Sequence, residues 1–170
     1  MIQHNYGAMD GPSAVAISAW RALDRSPTRE WVAWAVRELV AGRDTPNLRI
    51  VAGLSEPFDY FETIRYVDRA LEELGVTRVD KPAAIAAYTE ELLRLMIAQQ
   101  QSIPDTLRQL TDLCIECDYP EFLFTFYKLF FAKQDLENGE HQFYWDGADA
   151  SNIDAIILSE AEHWLAGRAA

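Results

Sequence analysis

A repeated punctuation of helix starts constrains this chain more than any other feature. Five times a Ser, Thr or Asp stands one or two residues ahead of a proline and opens an apolar run of helical period: Ser26-Pro27, Thr45-Pro46, Ser55-Glu56-Pro57, Asp80 with Pro82, and Ser102 with Pro104. The polar side chain accepts from the free amides of a first helical turn, and proline is harmless there because its missing N–H has no partner to lose. These signals predict helices over 28–41, from 46 to about 52, over 58–74, from 80 to about 100 and from 102 to 117, with Gly42, Gly53 and Gly75 as left-handed stops after the first three. Pro120 opens a further helix to 136, and segments near 14–23 and 151–165 bring the count to eight. No strand pair or short hairpin turn is legible, so the expected fold is all-α.

The helical stripes are well defined. Phe61, Ile64, Val67, Leu71 and Leu74 mark one face; Ile85, Tyr88, Leu92, Leu95 and Met96 mark another; Ile103, Leu107, Leu110, Cys114 and Cys117 step by alternating four and three. The run 122–131, FLFTFYKLFF, is apolar almost all round and is expected to be the central helix of the bundle. With 170 residues, 49% of them hydrophobic, the chain can bury a sizeable core without metal or disulfide staples. Short connections predict one domain over 1–170, with 1–12 flexible.

Charge is distributed unevenly along that scaffold. Residues 1–85 carry 12 acidic and 10 basic side chains, a net of −2, whereas 86–170 carry 15 and five, a net of −10. An acidic face of this size repels nucleic acid and membrane phosphates and attracts basic proteins, so the partner expected is a basic protein, with neither nucleic acid nor membrane. The first residues lack the basic and apolar regions of a secretory signal, and no apolar span reaches about 18 residues, which predicts a cytoplasmic protein.

Two constellations in the second half carry the functional expectation. Asp112, Glu116, Asp118 and Glu121, with Tyr119 among them, form an acidic run at the junction of the sixth and seventh helices. Asp112 and Glu116 are four apart and share a helical face, where like charges repel by a few tenths of a kcal/mol; a basic partner relieves that repulsion, while an unpartnered cluster confers only solubility. The segment 138–150, NGEHQFYWDGADA, is too polar and glycine-rich for helix but holds Phe143, Tyr144 and Trp145 in a row beside Asp146. Strand-like alternation cannot bury all three rings, so the segment is either a lid folded on the core or an exposed anchor of the composition that binding hot spots favour.

Catalytic signatures are weaker. Glu160 and His163 form E-x-x-H on the last helix, but a di-metal carboxylate site needs a second such pair, and the other histidines, His4 and His141, are in none. Glu160 falls on the apolar stripe of Ile153, Ile156, Ile157, Ala161 and Trp164, so it is expected to have a hydrogen-bond or arginine partner. Cys114 and Cys117 have redox-motif spacing without the βαβ context or the further ligands of a zinc site, and are expected to be buried reduced thiols. No phosphate-cradling glycine loop or nucleophile elbow occurs, and neither cofactor nor enzymatic activity is expected.

Residues 39–75, LVAGRDTPNLRIVAGLSEPFDYFETIRYVDRALEELG, resemble a segment of small acidic all-helical bacterial proteins, some encoded beside secreted toxins as their immunity proteins. The resemblance implies an inhibitor that covers a basic toxin surface, and transfers no functional residue because such interfaces vary. The expected function is therefore neutralisation of a basic toxin or nuclease by occlusion. In that reading Asp112, Glu116, Asp118 and Glu121 steer the partner and Tyr119, Tyr144 or Trp145 anchors it, with Asp146 beside them. The alternatives are a helical metal-binding enzyme using Glu160 and His163, and a helical scaffold or adaptor.

Overall fold

The computed structural model describes residues 11–169, and the described residues form eight α-helices and no strand. They are α1 (Ala14–Ala22), α2 (Arg29–Val40), α3 (Pro46–Ala52), α4 (Tyr60–Glu73), α5 (Lys81–Ile97), α6 (Ile103–Glu116), α7 (Glu121–Glu137) and α8 (Ile153–Ala169). The chain divides into two compact units, 1–88 and 89–170, and the division falls inside α5. Residues 1–10, most of the segment expected to be flexible, and His4 with them, lie outside the described residues. Gly11 and Pro12, the last of that segment, are tied down, since their carbonyls accept hydrogen bonds from the Arg37 guanidinium.

In the first unit α2 packs on α3, α3 on α4, and α1 on both α2 and α4. Ile17, Trp31, Trp34, Leu48, Val51 and Val67 are fully buried, with Trp20 set against Trp31 at 6.3 Å between ring centroids and edge-on to Tyr88 at 6.5 Å. Each indole hides more apolar area than any aliphatic side chain, so three tryptophans supply much of this unit's core. Asp68 on α4 takes Arg21 of α1 in a two-pronged pair at 2.8 and 3.2 Å.

The second unit packs α6 on α7 and α7 on α8. Leu107, Leu110, Leu113 and Cys114 from α6 meet a core that includes Leu123, Phe126 and Leu129 of α7 and Ile157 and Ala161 of α8. Lys133, almost fully buried, reaches Asp154 at the start of α8 and Glu137 on its own helix, both at 2.8 Å. Burial opposes its charge, but the two carboxylates outweigh burial and raise its pKa.

Several starts differ from the sequence signals for a local reason. Asp59 rather than Ser55 caps α4, its carboxylate accepting from the Glu62 amide at 2.7 Å, because the chain stays non-helical through Phe58. Ser102 caps α6 and Asp80 the start of α5, as expected. Thr28 and Thr45 occupy N-cap positions without a side-chain cap bond. Gly42 and Gly75 take the left-handed stop, at φ 85° and 74°, whereas Gly53 stays right-handed at −90° and ends α3 without it. Phe61 leaves the predicted stripe and is exposed: at 3.6 residues per turn it lies about 120° around the axis from the buried face, which Thr63, Ile64, Val67, Ala70 and Leu71 complete.

Candidate functional site

The α6–α7 junction is a sharp turn built by two consecutive residues in the left-handed region, Asp118 at φ 60° and Tyr119 at φ 56°. The Tyr119 amide closes the end of α6 by donating to the Cys114 carbonyl at 2.8 Å, and Pro120 then releases the chain into α7. A left-handed tyrosine costs about 1 kcal/mol or more. What this conformation achieves is the placement of its ring: Tyr119 meets Phe124 edge-on at 6.4 Å and Tyr127 edge-on at 5.6 Å.

From there a row of rings follows α7. Phe124 stacks on Tyr127 at 5.5 Å, Tyr127 contacts Phe131 at 4.9 Å, and Phe131 contacts Tyr144 of the loop at 5.7 Å. The row thus joins two features that are 25 residues apart in sequence, Tyr119 in the acidic junction and Tyr144 in the aromatic loop. Its ends and flank are open to solvent, with Tyr119 at 47%, Phe124 at 41% and Tyr144 at 42% exposure. The phenylalanine-rich helix is therefore two-faced. Leu123, Phe126 and Leu129 fill the core between α6 and α8, and the aromatics at 124, 127 and 131 lie outside it.

The loop after α7 is held by one side chain. Gln142, buried, accepts from the amides of Tyr144 and Trp145 at 2.9 Å each, and its Nε2 donates to the carbonyls of Trp145 at 2.7 Å and Ala148 at 3.0 Å. Asp149 then prepares α8, accepting from the Ser151 hydroxyl at 2.6 Å and from the amides of Ser151 and Asn152 at 2.7 and 3.1 Å. Those bonds, led by the Ser151 hydroxyl, pull the Asp149 carboxyl below its ordinary range. The result is a fastened platform on which Phe143 is 85% exposed, backed by His141 at 4.6 Å.

Each predicted side chain has a definite position. Asp112 and Glu116 are exposed on the last turns of α6, Asp118 and Tyr119 are exposed in the junction, and Glu121 is exposed at the first position of α7. Tyr144 and Asp146 are exposed in the loop, while Trp145 is half-buried under the Lys128 ammonium, 5.3 Å from its ring centre. That same ammonium lies 5.8 Å from the Phe124 ring. Among the described residues, Asp112, Asp118, Glu121 and Asp146 have no ion-pair partner within 4.0 Å.

Sequence reasoning missed several participants. Phe143 is the most exposed aromatic of the loop, yet nothing in FYW tells which ring faces outward until Gln142 fixes the backbone. Phe124 and Tyr127 were hidden in a run whose apolar composition points only to burial. The signal that could have found them is phase: 124, 127 and 131 step by three and four, on a face distinct from 123, 126 and 129.

Glu160 and His163 share a groove with Glu121, but among the described residues no group of three or more His, Cys, Asp or Glu side chains is placed to hold a metal ion. Glu160 is half-buried and has no ion pair or side-chain hydrogen bond among the described residues, so the expected partner is not there; it sits at the margin of the apolar stripe. Cys114 is fully buried and its thiol is pushed up to about 11 by burial, with Cys117 adding to the shift. The two thiols are not bonded to each other. Comparison with protein families, with curated proteins and with solved structures finds no match to this chain. No helix of the described residues is long and apolar enough to cross a membrane.

Proposed function

We propose that this chain is a protein-binding inhibitor of the immunity type, which covers the cationic surface of a basic toxin or nuclease with the acidic and aromatic flank of its second unit. The observation that carries the reading is the row of rings from Tyr119 to Tyr144, exposed at Tyr119, Phe124 and Tyr144, half-buried at Tyr127 and Phe131, and continuous at one end with the chain segment bearing Asp112, Glu116, Asp118 and Glu121. Partly exposed aromatics on a fixed backbone give contact area at low entropic cost, which is the character of binding hot spots. Carboxylates at their border speed encounter with a cationic partner and discriminate against acidic ones. The net charge supports the same partner: residues 89–170 hold 15 acidic against five basic side chains, so the field around this unit is negative.

Occlusion asks for no catalytic group on the inhibitor. The acidic rim attracts the basic surface, the rings displace water from it, and the partner's active groups lose access to substrate. A tagged form used as bait at low salt, with bound proteins released along a salt gradient and assayed for activity with and without the bait, tests the reading. The expected result is one stoichiometric basic protein, held to high salt, whose activity falls in proportion to bait. A captured set that elutes at modest salt and keeps full activity would overturn it.

A further inference from the structure

On a face of α7 different from the aromatic row, a groove of about 400 Å³ opens between the first two turns of α7 and the middle of α8. Phe122 and Trp164, in contact with ring centroids 6.1 Å apart and planes inclined by 31°, together form one side of it. Glu121, Glu160 and His163 line it as well, and no cation among the described residues pairs with either glutamate. We infer that this groove receives an arginine side chain of the partner protein, with its alkyl stem laid against the ring pair and its guanidinium against the glutamates; the inference rests on the protein-binding reading above.

Three properties select that occupant. Two carboxylates on one groove repel phosphate and carboxylate ligands, and a neutral apolar ligand would strip water from Glu160 without replacing its hydrogen bonds. A bare metal ion is a poor match, since a single water takes up only about 30 Å³ and the groove is many times larger, and the side chains present do not converge as a donor set. A flat cation on an apolar stem satisfies both the rings and the acids, and guanidinium does so better than ammonium because it stacks on aromatic faces and pairs carboxylates with two parallel N–H groups. The chain already contains this combination once: the Arg168 guanidinium lies 5.1 Å from the centre of the Trp164 ring while its Nε donates to Glu90 at 3.2 Å. The groove offers the same ring and a second carboxylate to a guanidinium from outside.

The inference can be tested without the partner in hand. The full chain is titrated with the capped tripeptide Gly-Arg-Gly and with its neutral isostere Gly-citrulline-Gly, following the side-chain NMR signals of Trp164 and Phe122. The expected result is a saturable shift at both rings in the millimolar range with the arginine peptide only, weakened about tenfold in Glu160→Gln, which removes one charged hydrogen-bond acceptor. Glu121→Gln provides a second variant should the first fail to fold. Equal shifts with citrulline, no saturation at Trp164, or affinity unchanged in both variants would overturn the groove assignment. Loss of partner binding on substitution along the Tyr119–Tyr144 row, together with unchanged partner binding in Glu160→Gln, would overturn the groove while leaving the inhibitor reading intact; arginine-peptide binding without any captured partner would do the reverse.

Discussion

Gln142 holds the aromatic loop through four hydrogen bonds to backbone, and nothing about a lone glutamine in NGEHQFYWDG announces that role. Its replacement by alanine takes this partner from the part-buried amides of Tyr144 and Trp145 and from the Ala148 carbonyl, at a cost of up to about 1–3 kcal/mol for such groups. Gln142→Ala should therefore speed hydrogen exchange at the Tyr144 and Trp145 amides and weaken partner binding, with the α6 amides unaffected. Equal exchange rates at all of these positions would show that the loop does not depend on Gln142. Cys114 presents the opposite case, a residue whose motif suggested more than its surroundings allow. With its thiol pushed up to about 11, only about one molecule in a thousand carries the reactive thiolate at pH 8. Iodoacetamide at that pH should leave Cys114 unmodified in the native protein, as peptide mapping would reveal, and label it once the chain is unfolded.

Helices were legible where punctuation and period agreed, and less so where a neighbouring residue offered the chain a better cap. Ser102 and Asp80 cap the helices their signals announced, because each side chain stands three residues ahead of a free amide. Ser55 lost its role to Asp59, which lies closer to the first continuous helical turn. The last helix, expected from near 151, begins at Ile153 because Asp149, Ser151 and Asn152 form the cap structure before it. That cap has a pH signature. A carboxyl whose folded pKa lies below its ordinary 3.8 stabilises the native state above that value and ceases to do so as pH falls through the folded pKa. Asp149→Asn should accordingly lower the thermal midpoint at neutral pH and lose that difference as pH falls below the ordinary 3.8 and through the lowered folded value. A gap that persists unchanged in acid would mean that the ionised carboxylate is not what holds the turn.

The contacts divide at Tyr88 and Thr89, and because no charged side chain lies between 86 and 88 the second unit carries the whole net −10 of the second half. The uneven charge was legible in composition, and the all-α class in helical periodicity. What sequence could not supply was the meeting of the acidic junction with the aromatic loop. That meeting depends on the left-handed pair Asp118 and Tyr119, on the outward phase of Phe124, Tyr127 and Phe131, and on the Gln142 fastening, three local choices with no common signature. The resemblance over 39–75 lies entirely in the other unit, so it carries nothing about this surface.

If the acidic flank steers a basic partner, its contribution is to association more than to dissociation, and salt should screen it over about 10 Å at 0.1 M. The decisive comparison is the association rate of the captured partner with the wild-type chain and with Asp112→Lys/Glu116→Lys/Asp118→Lys/Glu121→Lys, measured by stopped flow across a series of salt concentrations. The steering account predicts a wild-type rate that falls steeply with salt, and a variant rate at least about tenfold lower at low salt that no longer falls. Equal rates with parallel salt dependence for the two proteins, both properly folded by circular dichroism, would contradict it.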